Sequence, residues 1–242
     1  MSHCAYKNND GEEIPSVTEM IKLLNHKGLM EWANYVGLKA TPLKDYLLER
    51  STLGSLVHSR IAEEFTTGTT EFPPFFDPEL EAECRRKIDL FHTWREETGA
   101  VPLLVEKVMH NERYGGTLDL VAQYKNGHVG LIDFKTGTKK KPFHLLQLGG
   151  YLNLLEDCEP DIYKQVSFCS VVVLGKDIVI GTRSVEEMQI YRDAIEKLYM
   201  LYMSWKDILW NDWHHTHIIK GTKFFSKDDI LRIIEGRRLY ND

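Results

Sequence analysis

Long apolar runs are missing from this chain. Nothing in its 242 residues approaches 18 consecutive apolar side chains, so a membrane-spanning helix is not expected. The opening stretch, MSHCAYKNNDGEEIPS, lacks the charged-then-apolar order of a secretory leader, which points to a cytosol-like compartment. Cysteine is scarce. Cys4, Cys84, Cys158 and Cys169 stand far apart and none belongs to a CxxC pair, which counts against a zinc ribbon or an iron–sulfur cluster and suits a reducing environment. There is no GxxxxGK[ST] loop, so the chain is not expected to carry its own nucleotide-driven motor. A surplus of positive charge is also absent. Thirty Lys and Arg against 36 Asp and Glu leave a net charge of −6, so a polyanion would have to be gripped locally. No internal repeat or long linker interrupts the sequence.

The patterning that is present changes twice along the chain. Residues 1–13 are polar and expected to be loose. From Pro15, with Ser16 or Thr18 as N-cap, apolar residues recur at helical spacing through Met20, Ile21, Leu23 and Leu24, then again from Leu29 to about Gly37. A further helix is expected to close at Gly68, and a loop at residues 69–78 holds Pro73, Pro74 and Pro78. Residues 79–98 are helical through Leu80, Cys84, Ile88, Phe91 and Trp94. Then VPLLVEKVMH, GGTLDLVAQYK, HVGLIDFKTG and QVSFCSVVVLGKDIVIGTR are β-rich, with one helical insert, FHLLQLGGYLNLLEDC. The chain is helical again from Val185. One domain of α/β (α+β) class follows: a helical part at 14–98, a β-rich core at 99–183 and a helical part at 184–242.

The chemistry gathers in the β-rich core. In GLIDFKTG, Asp133 and Lys135 are two apart and should share one face of a strand, with Ile132 and Phe134 on the other. Asp119 lies in the preceding strand and Glu106 in the one before. If these strands are antiparallel neighbours, Asp119 and Asp133 approach across the ladder. Two close carboxylates repel, and a divalent cation removes that penalty. Oxygen ligands suit Mg²⁺ or Mn²⁺. Lys135 beside such an ion can orient or deprotonate a water and offset charge building on a phosphate. Gln147 and Tyr151, at i and i+4, share one face of the following helix. Lys139, Lys140 and Lys141 come just after the strand, placed to meet backbone phosphates. The HHTH run with His215 and His217 has no cysteine or acid cluster nearby to complete a zinc site.

GTLDLV, GLIDFKTG and QLGGY, in this order, resemble the motif series of the PD-(D/E)XK nuclease superfamily in its RecB-like exonuclease branch. GSLVHSRIAEEF is similar to the helix where that branch carries a metal-binding histidine, here His58. The helices around PSVTEMIKLL and LMEWANYVG look like those of phage exonucleases and the mitochondrial genome-maintenance exonuclease, and the resemblance covers roughly residues 14–205. It implies a restriction-endonuclease-like mixed β-sheet core flanked by helices. It also implies metal ligation by His58, Asp119, Asp133 and the Phe134 carbonyl, with Lys135 as the catalytic lysine. Glu106 matches the acid before the G-x-x-D strand, and Gln147 and Tyr151 would brace the active-site helix or touch the nucleic acid. Some relatives carry a four-cysteine iron–sulfur cluster; no cysteine follows Cys169, so none is expected here. The implied activity is hydrolysis of single-stranded DNA or DNA ends in replication, recombination or repair. The gene is read as phage-borne or cellular, and the partner as a helicase or a recombination or annealing protein. Two other classes compete: a catalytically silent module that binds nucleic acid or a partner, and a restriction-type endonuclease.

Overall fold

The computed structural model describes residues 6–24, 29–38, 42–69, 77–139 and 141–215. The N-terminal stretch expected to be loose is a small hairpin, β1 (Tyr6–Lys7) with β2 (Glu13–Ile14). The NNDG sequence makes its turn: the Asn8 side-chain oxygen accepts from the amides of Asp10 and Glu12, and Gly11 takes φ 81°, which suits glycine. Helix α1 (Val17–Ile21) begins with a reciprocal capping box between Ser16 and Glu19, and is shorter than the apolar spacing through Leu24 suggested. Helices α2 (Leu29–Leu38) and α3 (Leu43–Thr67) follow, and Gly68 ends α3 in the left-handed conformation at φ 73°. Asp77 caps α4 (Pro78–Thr98) through the amides of Glu79 and Leu80.

Five strands then build one sheet: β3 (Val101–His110), β4 (Gly115–Gln123), β5 (Val129–Lys135), β6 (Val166–Leu174) and β7 (Ile178–Ser184). Their spatial order is their chain order. β3, β4 and β5 are antiparallel neighbours, β5 and β6 are parallel, and β6 and β7 are antiparallel. The parallel pair requires a crossover, supplied by α5 (Pro142–Cys158) and the short α6 (Pro160–Tyr163). This is the mixed sheet flanked by helices that the sequence led us to expect of a restriction-endonuclease-like core. Helix α7 (Gln189–His215) ends the described chain. The protein divides into two compact units, residues 1–198 and 199–242, with the boundary inside α7. Among the described residues no helix is long and apolar enough to cross a membrane. Pro73, Pro74, Lys140, His217 and the basic C-terminal stretch lie outside the described residues.

One face of the sheet packs on α3 and α4. Leu53, Val57 and Ile61 recur at i, i+4, i+8, and meet Ile88, Phe91 and Trp94 over Leu120, Ile132, Phe134 and Val172. Trp94 meets the Phe134 ring edge-on at 5.1 Å. Buried Glu64 of α3 accepts from both His92 and Arg95 of α4, locking the helix that carries His58. Alternation turns Leu131, Val171 and Val173 to the opposite face, where α5 packs. Arg86 and buried Lys87 both donate to the Gly175 carbonyl, and this β6–β7 turn lies against the backbone of Gly137, just past β5.

Candidate metal centre

The site forms where two neighbouring strands part. β4 and β5 pair from Gln123↔Val129 to Leu120↔Ile132 and no further. One more step would set Asp119 opposite Asp133. Instead the Asp119 carboxylate takes the place of a ladder carbonyl and accepts from the Phe134 amide at 2.8 Å. Beyond this point β5 stays paired only with β6, as far as Lys135↔Val173. The β3–β4 ladder is interrupted at the same level: Val105↔Leu120 and Lys107↔Leu118 pair, whereas Glu106 and Asp119 between them do not. Glu106 has φ 43°, left-handed backbone that costs a non-glycine residue on the order of 1–2 kcal/mol.

His58 reaches this gap from α3. Its Nδ1 stands 3.4 Å from Asp119 Oδ2 and 4.0 Å from Glu106 Oε1, and one donor atom from each of the three lies within 4.8 Å of the others. Beside them Lys135 Nζ donates to Asp133 Oδ1 at 2.8 Å. Asp133 is fully buried, and its other oxygen, Oδ2, has no hydrogen-bond partner.

The protonation pattern is that of a site short of positive charge. Burial pushes Glu106 up to about 7, and Asp119 adds to the shift. Burial likewise pushes Asp133 up to about 6, with Asp119 contributing and Lys135 opposing. For Asp119, burial is outweighed by the charge and hydrogen bond of His58, by Lys135 and by the Phe134 amide, so its carboxyl titrates below the ordinary value. Burial would lower His58 and Lys135, but Asp119 lifts the imidazole, and Asp133 and Asp119 lift the ammonium. A cation among Glu106, Asp119 and Asp133 would remove the cost of ionising them together. The residues fit one. Ligands about 2.1 Å from a shared octahedral ion stand about 3 Å apart when adjacent and about 4.2 Å when opposite, close to the spacings of the trio. The unpartnered Asp133 oxygen offers a further hard donor. Two or three carboxylates with one imidazole suit Mg²⁺ or Mn²⁺ better than a soft-ligand metal.

The structure sorts the residues singled out in the sequence. Asp133 and Lys135 do stand together, as i and i+2. Glu106, the acid with the loosest expected role, joins His58 and Asp119 in the closest group, while Asp133 falls outside that group and holds Lys135. Phe134 contributes its amide to Asp119 and its ring to the core. Gln147 Nε2 donates to the buried Tyr151 hydroxyl at 2.7 Å. Burial, then Asp133 and Asp119, raise the Tyr151 phenol well above its usual value. Lys139 is exposed; Lys141, at the N-cap of α5, holds its ammonium 5.3 Å from the centre of the Phe143 ring. Sequence reasoning missed Tyr6 and Thr117, whose hydroxyls bond at 2.9 Å just before Asp119 on β4. The one available signal was the Gly115–Gly116 pair. A Cβ on Gly115 would come within 2.3 Å of the Tyr6 ring, and one on Gly116 within 2.6 Å of Tyr151.

No family model and no curated protein matches the chain. Among solved structures it is similar to an alkaline exonuclease, LHK-Exo, from Laribacter hongkongensis, at 13% identity and a TM-score of 0.33 over 64% of this chain and 84% of that one. The same exonuclease in complex with dAMP matches at 13% identity and 0.32, over 81% and 94% of the two chains. SSO0001 matches at 18% identity and 0.30, over 62% and 74%.

Proposed function

We propose that the protein is a divalent-metal-dependent deoxyribonuclease of the PD-(D/E)XK superfamily that degrades DNA from ends, acting as one nuclease domain on single-stranded DNA or duplex termini. The observation that carries this reading is the convergence of His58, Glu106 and Asp119 beside the Asp133–Lys135 pair, at the point where β4 and β5 separate. His58, Glu106, Asp119 and the free oxygen of Asp133 would hold the ion. What a bound Mg²⁺ or Mn²⁺ supplies is polarisation of a phosphoryl oxygen and a more acidic water.

The chain's own residues account for the rest. Without the ion, its carboxylate neighbours favour the charged form of Lys135, which suits it to serve as a positive donor for charge developing on the phosphate. Asp133 aims that ammonium through the 2.8 Å contact. Asp119 ties the trio to the β5 backbone through Phe134. Exposed Lys139 and Lys141, with Lys140 between them in sequence, offer backbone-phosphate contacts that carry no sequence preference and weaken with salt.

The deciding experiment incubates linear and covalently closed circular single-stranded DNA with Mg²⁺ or Mn²⁺, beside Lys135→Ala. Digestion of the linear form alone, lost in the variant, is expected. Cutting of circles would make the protein an endonuclease. Binding without metal-dependent cleavage of either form would make it a silent binding module.

A further inference from the structure

The Tyr6–Thr117 hydroxyl pair has no part in the metal centre or in the sheet, yet the fold goes to some length to place it. The Gly115 amide donates to the Pro15 carbonyl at 3.0 Å, and Ser16 bridges to Gly115, so the N-terminal segment is anchored at the start of β4. The Tyr6 ring occupies space that only glycine at position 115 leaves open. Its hydroxyl then meets Thr117 Oγ1. Thr117 is two residues before Asp119 on the same strand. Its α-carbon therefore lies about 6–7 Å along the strand from that of Asp119. Tyr151 flanks the preceding residue, Gly116.

Two hydroxyls bonded to each other use one proton of their two. The second remains to be donated, and both side chains are only partly buried. The pair sits two residues along β4 from Asp119, a carboxylate that would repel an anion without a cation beside it. A neutral donor there can receive a phosphate oxygen without adding charge to the site. The geometry points to Tyr6 and Thr117 as a substrate-positioning pair: together they donate one hydrogen bond to a backbone phosphate adjacent to the one being cleaved. The N-terminal hairpin is thus a wall of the DNA cleft. This rests on the nuclease reading above.

The test compares wild type, Tyr6→Phe and Thr117→Val on linear single-stranded DNA with Mn²⁺. Tyr6→Phe keeps the ring over Gly115 and removes only the hydroxyl. A hydrogen bond to a charged group is worth enough to raise KM about tenfold or more in either variant. The change in kcat should stay within about twofold, because the reacting phosphate is not the one contacted. A substrate-side probe separates contact from packing: a methylphosphonate placed one linkage to either side of the scissile phosphate. At one of these positions it should raise the wild-type KM about as much as Tyr6→Phe does, and raise that of Tyr6→Phe no further. Equal KM values for wild type and a folded variant, or additive effects of the two changes at both positions, overturn the pairing. Should Tyr6→Phe fail to fold, Thr117→Val is read alone against the same substrates. If wild type neither cleaves nor binds DNA, the nuclease reading fails first. If wild type cleaves and both variants keep its KM, only this inference fails.

Discussion

The paired and the parted halves of β4 and β5 differ in almost every physical respect. From Leu120 to Gln123 and from Val129 to Ile132 the two strands exchange ladder bonds, and their side chains are mostly apolar and buried. From Asp119 back to Gly115, and from Asp133 on to Lys135, they no longer pair with each other, and the positions carry acids, a lysine, a hydroxyl and two glycines. One half is where burial stabilises the fold. The other gives up ladder bonds, buries a carboxylate oxygen without a partner and holds Glu106 in a strained backbone. On the nuclease reading proposed above, two strands serve both stability and chemistry because the transition between the roles takes a single residue step, at which a side-chain carboxylate replaces a backbone acceptor.

That contrast can be broken from either side. Trp94→Ala empties the core under the paired half and should cost about 3–5 kcal/mol, read by urea denaturation, with activity per folded molecule kept. A loss below about 1 kcal/mol would mean that the aromatic packing against Phe134 contributes little. Asp119→Asn acts on the parted half. Its amide oxygen can still accept from Phe134, so stability should change by less than about 1 kcal/mol. Release of nucleotides from DNA should fall about 10²–10³-fold. Retention of activity within tenfold would remove Asp119 from the site.

The pH dependence sharpens the same contrast. A carboxyl raised in the native state binds more protons there than in the unfolded chain. Stability therefore falls as pH rises between the unfolded and folded values. For Asp133, raised to about 6, the metal-free protein should lose on the order of 2–3 kcal/mol between pH of about 4 and about 6. Half-exposed Glu106 extends the same sign weakly toward 7. Asp119, lowered, acts oppositely and only as pH falls below the ordinary carboxylate range. Denaturation midpoints in a chelator across this range should decline in wild type and stay flat in Asp133→Asn; added Mn²⁺ should reverse the slope. The smallest effect expected is a gain. Glu106→Gly relieves the left-handed strain and should stabilise the metal-free protein by about 1 kcal/mol while weakening Mn²⁺ binding by calorimetry. No gain would show that the backbone there is not strained.

Much of this was legible in the residues. Helix ends at Gly68 and near Thr98, the strand blocks and the side-by-side placing of Asp133 and Lys135 follow from periodicity and cap chemistry, which are local rules. The unread parts depend on register. Glu106 joins His58 and Asp119 because it stands opposite Asp119 on the next strand and turns through a positive φ, and neither fact is written in a single strand's pattern. Tyr6 was passed over because a short polar stretch gives no periodic signal, and its hairpin depends on an Asn side chain closing the turn and on a glycine slot more than a hundred residues away. Leu23 and Leu24 kept helical spacing beyond the point where α1 stops, which shows spacing alone outrunning the helix.

The carboxylates of the trio are gathered by one turn between adjacent strands, whereas His58 arrives from a helix separated from them by all of α4. An ion held by all three would act as a cross-link between segments remote in sequence. Its binding energy would count against every partial opening that swings α3 away from the sheet. The opening free energy of α3, read by hydrogen exchange, would then rise with the logarithm of cation concentration, so that three side chains govern how freely an entire helical layer breathes.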